Sequence, residues 1–174
     1  IRDSILFNLN SIFNSGYIPF IRLAKFLDPV PRVSKPKFNR KEKIGYYNRQ
    51  ESSAILNDFW QSSEFIQFLE ATTGLKPKFR EANHICYSAG DYSLLHIEES
   101  ESRRLTVTYD FTKSWKQEWG GYDLYTSPEN NPLICNRDRG SLMIVKLEEK
   151  DLSCTRYVSQ KAVSVAQMDR IVYD

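Results

Sequence analysis

The chain has 174 residues, of which 41% are hydrophobic and 13% aromatic, a composition that supports a folded core and excludes a disordered polypeptide. Its 24 basic and 22 acidic side chains leave a net charge of +2, so no overall field argues for nucleic acid as a partner. Three cysteines, Cys86, Cys135 and Cys154, occur without CxxC spacing, which argues against a disulfide scaffold or a zinc finger and favours a reducing compartment, by default the cytoplasm.

From the N-terminus, Ser4 to Asn14 and Pro19 to Phe26 carry apolar residues at helical spacing and predict two helices. Asp28 to Lys43 is proline-rich and basic and reads as a connector; its segment RVSKPKFNRKEK would be solvated or, as a scaffold, would meet an acidic partner or RNA phosphates, the reading that a near-neutral chain supports least. Ser52 to Thr72 repeats bulky apolar residues every three or four positions and stops at Gly74, with Pro77 close behind. This predicts two helices broken around Gln61 to Ser63. Beyond residue 75 the pattern changes to short β-rich runs: Asn83–Tyr87, Ser93–Ile97, Leu105–Phe111, Tyr122–Thr126, Ser141–Leu147, Ser153–Ser159 and Arg170–Tyr173. Turn signals separate them at Ala89-Gly90-Asp91, Gly120-Gly121, Pro128 to Pro132 and Asp138-Arg139-Gly140. The expectation is one domain over 1–174, mainly β with N-terminal helices, in which a helical support (1–75) precedes a sandwich or barrel (76–174). No run approaches the roughly 20 apolar residues of a membrane span, and no secretory signal is visible.

Within GDYSLLHIEES, His96 and Glu98 sit two apart, so on a strand both would project to one face, as two metal ligands must. The alternative is a histidine that precedes a solvated acidic turn. Three stretches then occur in a telling order: FLEATTGL, CYSAGDYSLLHIE and LTVTYDFTKSWKQEWGGYDLY, the last with Trp115, Gly120, Gly121 and Leu124 in WxxxxGGxxL spacing. In this order, from about Phe59 to Asp174, the chain resembles the 2-oxoglutarate and iron(II)-dependent dioxygenases, in their prolyl-hydroxylase-like branch.

The resemblance implies a double-stranded β-helix, or jelly roll, behind the helices, with Fe(II) and 2-oxoglutarate as cofactors. Such iron is held on one face by two imidazoles and a carboxylate. His96 and Glu98 would supply one of each, and Arg170 in DRIVYD would grip the far carboxylate of the oxo-acid, since guanidinium pairs bidentately with carboxylates. Tyr87 would hydrogen-bond the cosubstrate and Tyr109 would line the same pocket; each is otherwise a core aromatic. The chain departs from the family where a second ligand histidine is expected, because Arg156 stands there, and a guanidinium cannot coordinate. Cys154, two residues before it, is a thiol that could ligate or simply pack, and His84 precedes the ligand strand and reads as a packed side chain. The resemblance implies an oxygenase that hydroxylates an amino-acid side chain, prolyl included, in a peptide or small molecule. The missing ligand implies instead an inactive member that binds a ligand or partner, in which Arg156 fills the metal position and pairs with Glu98. No nucleic acid or membrane partner is expected, and the oligomeric state is open.

Overall fold

Ser52 to Gly74 folds as its spacing demands. Helix α1 (Ala54–Trp60) and helix α2 (Ser63–Thr73) are separated by a break at Gln61–Ser62. Ser62 caps α2 by accepting from the Phe65 amide, and Gly74 ends it in the left-handed region at φ 68°, where a Cβ would be strained. Leu56, Trp60, Phe65 and Leu69 are the buried stripe of this pair.

In this computed structural model the described residues are 5–8, 37–38, 45–97, 104–127, 130–148 and 150–174. They form twelve strands in two sheets: β1 (Ile5–Asn8), β2 (Lys37–Phe38), β3 (Gly45–Glu51), β4 (Phe79–Tyr87), β5 (Tyr92–Ser93), β6 (His96–Ile97), β7 (Arg104–Asp110), β8 (Asp123–Ser127), β9 (Asn130–Cys135), β10 (Ser141–Leu147), β11 (Leu152–Thr155) and β12 (Ala166–Tyr173). The larger sheet runs β1-β10-β7-β12-β4-β3-β2, with β5 added against β3, and the smaller runs β6-β11-β8-β9. All of these pairings are antiparallel. From β6 to β12 the chain alternates between the two sheets, apart from the β8–β9 hairpin, which stays in the smaller one, and the sheets close on each other as a double-stranded β-helix.

Strand parity assigns the larger sheet two buried faces. Leu105, Val107, Tyr109, Leu142, Ile144, Ile171 and Tyr173 face α1 and α2 and form one core with Trp60 and Phe65. The alternate positions, among them Thr106, Thr108, Asp110, Met168 and Arg170, face the smaller sheet. Both sides of the central strands β7, β10 and β12 are therefore occupied, and the near-continuous burial of β10 and β12 follows.

Three expectations are corrected. The helix expected over Ser4 to Asn14 is a strand at Ile5–Asn8, where the chain pairs with β10 and gains a ladder of long-range hydrogen bonds instead of local ones. Pro128 to Pro132, read as a turn, belongs partly to β9, an edge strand, where a proline sacrifices no ladder bond. The strand over Ser153–Ser159 stops at Thr155. The helix expected over Pro19 to Phe26 lies outside the described residues, as does most of the Asp28 to Lys43 connector.

Gly120 is needed where the loop after β7 crosses the segment after β11. Its φ is 72°, it bridges to Val158, and an added Cβ would lie 2.4 Å from the Tyr157 carbonyl oxygen. Gly120→Ala is expected to lower stability by about 2 kcal/mol or more, read as a fall in the urea midpoint at unchanged slope.

Candidate functional site

The space between the sheets is filled in layers. At one end Tyr47, Ile85, Tyr87, Val158, Ala166 and Met168 form an apolar cluster; at the other Tyr125, Cys135, Met143, Val145 and Leu147 form a second. An ionic layer joins them. Arg137, in the loop between β9 and β10, turns its side chain inward until only 2% of it is exposed. Its Nε donates to the Gly121 carbonyl at 2.6 Å, its Nη2 to Asp123 Oδ1 at 2.8 Å and its Nη1 to the Met168 sulfur at 3.1 Å, and Nη1 lies 3.8 Å from Asp110 Oδ2. Asp123 Oδ1 also accepts from the Thr155 hydroxyl at 2.6 Å and faces Arg170 Nη2 at 3.2 Å.

Two guanidinium groups and two carboxylates thus neutralise each other inside the barrel. Burial alone would push the Asp123 carboxyl up, but Arg137 and Arg170 outweigh it and hold the group below its ordinary value. For Asp110, farther from Arg137, burial wins and the group is raised. Cys135, behind Asp123, is pushed up to about 12 by burial and by that carboxylate, so it is an inert thiol.

Those of the expected site residues that are described lie at different places in the fold. His96 lies on β6 opposite Ser153 of β11, and its Nδ1 bonds the Leu94 carbonyl at 2.8 Å. Glu98 is outside the described residues. Arg156 follows the end of β11 and is exposed, its amide donating to the Tyr122 carbonyl, so the position facing His96 is Ser153, three residues earlier. The slip arises because β11 ends sooner than its β-rich composition suggested. Cys154 is buried on the face of β11 opposite to Ser153 and Thr155. Arg170 does face the interior, committed to Asp123. Tyr87 is interior too, 5.2 Å from the Tyr47 ring, its hydroxyl pushed up to about 12 by burial against the opposing pull of Arg170. Tyr109 shows the opposite parity: it packs under the helices against Trp60 and Phe111, with the sheet between it and Arg170.

His84 is also on the helix side, in a second buried polar cluster. Asp169, wholly buried, accepts from Ser52 and from Trp60 Nε1 at 3.1 Å, and its other oxygen meets His84 Nδ1 at 2.7 Å. Both Ser52 and His84 address the carboxylate and not each other, so this is a bracket between α1, β4 and β12 and not a nucleophilic triad. Burial works against a charged imidazole, but the hydrogen bond and charge of Asp169, with Cys86 beside it, raise His84 to about 9.

Among the described residues a two-imidazole site for iron does not assemble. The chain has two histidines, and the sheet separates them: His96 lies on the smaller sheet, while His84 is held by Asp169 beneath the helices. Two imidazoles on one face are thus excluded whatever Glu98 does. Among the described residues no three His, Cys, Asp or Glu side chains lie close enough to hold a metal ion. Sequence reading missed Asp110, Asp123, Arg137 and Asp169. The parity of Asp110 on β7 was available as a signal, but nothing distinguishes Arg137 from any other loop arginine. No helix among the described residues is long and apolar enough to cross a membrane.

Comparison with known proteins agrees with the topology. Residues 32–138 match the family described as oxoglutarate and iron-dependent oxygenase degradation C-term. No curated protein matches the chain. Similar solved structures include an oxidoreductase of the 2OG-Fe(II) oxygenase family from Burkholderia pseudomallei (10% identity over 88% of this chain and 78% of that one, TM-score 0.64). A prolyl-4-hydroxylase from Pseudomonas putida has 10% identity over 99% of this chain and 91% of its own, with a TM-score of 0.64. A prolyl hydroxylase from Trichoplax adhaerens, in complex with a hypoxia inducible factor oxygen degradation domain peptide fragment, has 12% identity over 98% and 82%, with a TM-score of 0.53. At these identities the likeness is one of fold.

Proposed function

Because the chain belongs to the oxoglutarate and iron-dependent oxygenase degradation C-term family, whose name implies Fe(II) and 2-oxoglutarate, we propose that this member keeps the oxygenase fold without the oxygenase chemistry and serves as a ligand- or partner-binding module. One observation carries the reading: Arg170, the residue expected to grip the oxo-acid, is already neutralised by Asp123 inside a barrel that Arg137 fills from its own loop. A dicarboxylate entering there would have to displace a buried ion pair and bring two further negative charges beside Asp123 and Asp110, which electrostatics opposes. The histidine count supports the same conclusion, since a two-imidazole facial site needs both histidines on one face. The surface around His96 favours a partner over a small substrate: Leu94, Leu95 and Ile97 are each about half exposed beside β6, at the edge of the smaller sheet.

Titration of the native protein with manganese(II) and 2-oxoglutarate, together and separately, tests this by calorimetry. The expected result is no saturable heat at millimolar ligand. A dissociation constant below about 1 mM for the oxo-acid in the presence of metal, roughly 4 kcal/mol of binding, would restore the hydroxylase reading.

A further inference from the structure

The ionic layer has a polarity opposite to that of an oxo-acid site. Without the Arg137 side chain, the interior would present two carboxylates, Asp110 and Asp123, against one guanidinium, Arg170, so the residual field selects a cation. The acceptors around Arg137 are arranged for a planar fork: a carbonyl at its Nε (Gly121), a carboxylate at Nη2 (Asp123), and a thioether and a second carboxylate at Nη1 (Met168 and Asp110). Asp123 Oδ2 is buried and has no partner among the described residues, so the receptor holds acceptor capacity that the tethered side chain does not use. Arg137 itself also lines a cleft of about 190 Å³, with Trp115, Gln117, Gly120 and Asn136, so removing its side chain would give small molecules an approach from that side.

From this arrangement we infer that the barrel interior is a guanidinium-binding site, and that Arg137 is its resident, covalently tethered ligand. The site takes monosubstituted guanidinium compounds, not dicarboxylates, and loop 136–140 stays docked on the barrel because its arginine is bound there. The inference goes beyond the absence of oxygenase chemistry and is tested separately from it, on a variant and not by titration of the native protein with metal and oxo-acid.

The test is chemical rescue. Arg137→Ala in the full chain is expected to melt about 10 °C lower than the native protein. Ethylguanidinium at up to 20 mM should restore about 5 °C of this saturably, as mass action on a folded-state site requires for a millimolar dissociation constant. Ethylammonium and 2-oxoglutarate at matched ionic strength should restore less than about 1 °C. No rescue, rescue linear in concentration, or equal rescue by ethylammonium or 2-oxoglutarate would each overturn the assignment. If the variant does not fold, exchange of the arginine Nε–H groups in the native protein decides the matter. The Arg137 proton, bonded to Gly121, should exchange roughly 100-fold more slowly than that of exposed Arg156, and comparable rates would refute a bound guanidinium.

Discussion

Replacing Asp123 by Asn is expected to cost the folded state about 3–5 kcal/mol, because it removes the shared counter-charge of two buried guanidinium groups while leaving both in place. The substitution barely changes volume, so packing is not the cause. As a counter-charge Arg137 would keep Asp110 alone, at 3.8 Å, and Arg170 would lose the 3.2 Å ion pair that neutralises it in the interior. Thr155 could still donate to the amide oxygen, so the hydroxyl is not orphaned. Urea denaturation should show the loss as a lower midpoint. Arg156→Ala, at an exposed position, is the control and should change stability by no more than about 0.5 kcal/mol. A loss below about 1 kcal/mol for Asp123→Asn would mean that the interior carboxylate is solvated, and the layered barrel would have to be abandoned.

Stability is expected to fall by about 3 kcal/mol between pH 6 and pH 9.5, with His84 as the cause. The imidazole has a folded value raised to about 9 against an unfolded 6.5, so the native state binds a proton more tightly than the unfolded chain. Below about pH 6.5 both states hold that proton and the stabilisation is complete; as pH rises through 9 the folded state loses it and the contribution vanishes. For a chain of this length the change corresponds to roughly 6–12 °C in melting temperature. His84→Gln, which retains a donor toward Asp169 but cannot titrate, should flatten the profile. A native protein whose stability is level from pH 6 to 9.5 would show that His84 is neutral and that Asp169 is satisfied by Ser52 and Trp60 alone.

The sequence was most legible where period and punctuation agree. The helix pair ending at Gly74 and the strand Ser141–Leu147 appear where their spacing places them. The jelly roll itself follows from the order of short strands and glycine turns together with the family likeness. Legibility failed for Ile5–Asn8, where a short apolar run fits helix and strand equally and only the partner strand β10 decides. It failed also for Tyr109, because β7 turns its large apolar side chains toward the helices and its threonines and Asp110 toward the barrel, the reverse of what an apolar barrel interior would suggest. Arg137 was invisible for a deeper reason. A loop arginine is normally solvated, and its burial depends on carboxylates supplied by β7 and β8, which only the closed fold brings to it.

Asp123 stands two residues from Tyr125 on the same face of β8, and Arg170 two from Met168 on β12. If β8 slipped by two positions against β11, alternation of faces would be preserved and the apolar contacts would be exchanged at little cost, yet Tyr125 would replace the carboxylate beside two stranded cations. The charged layer thereby works as a proofreading pin for strand alignment, penalising a misassembled barrel that greasy side chains alone would tolerate.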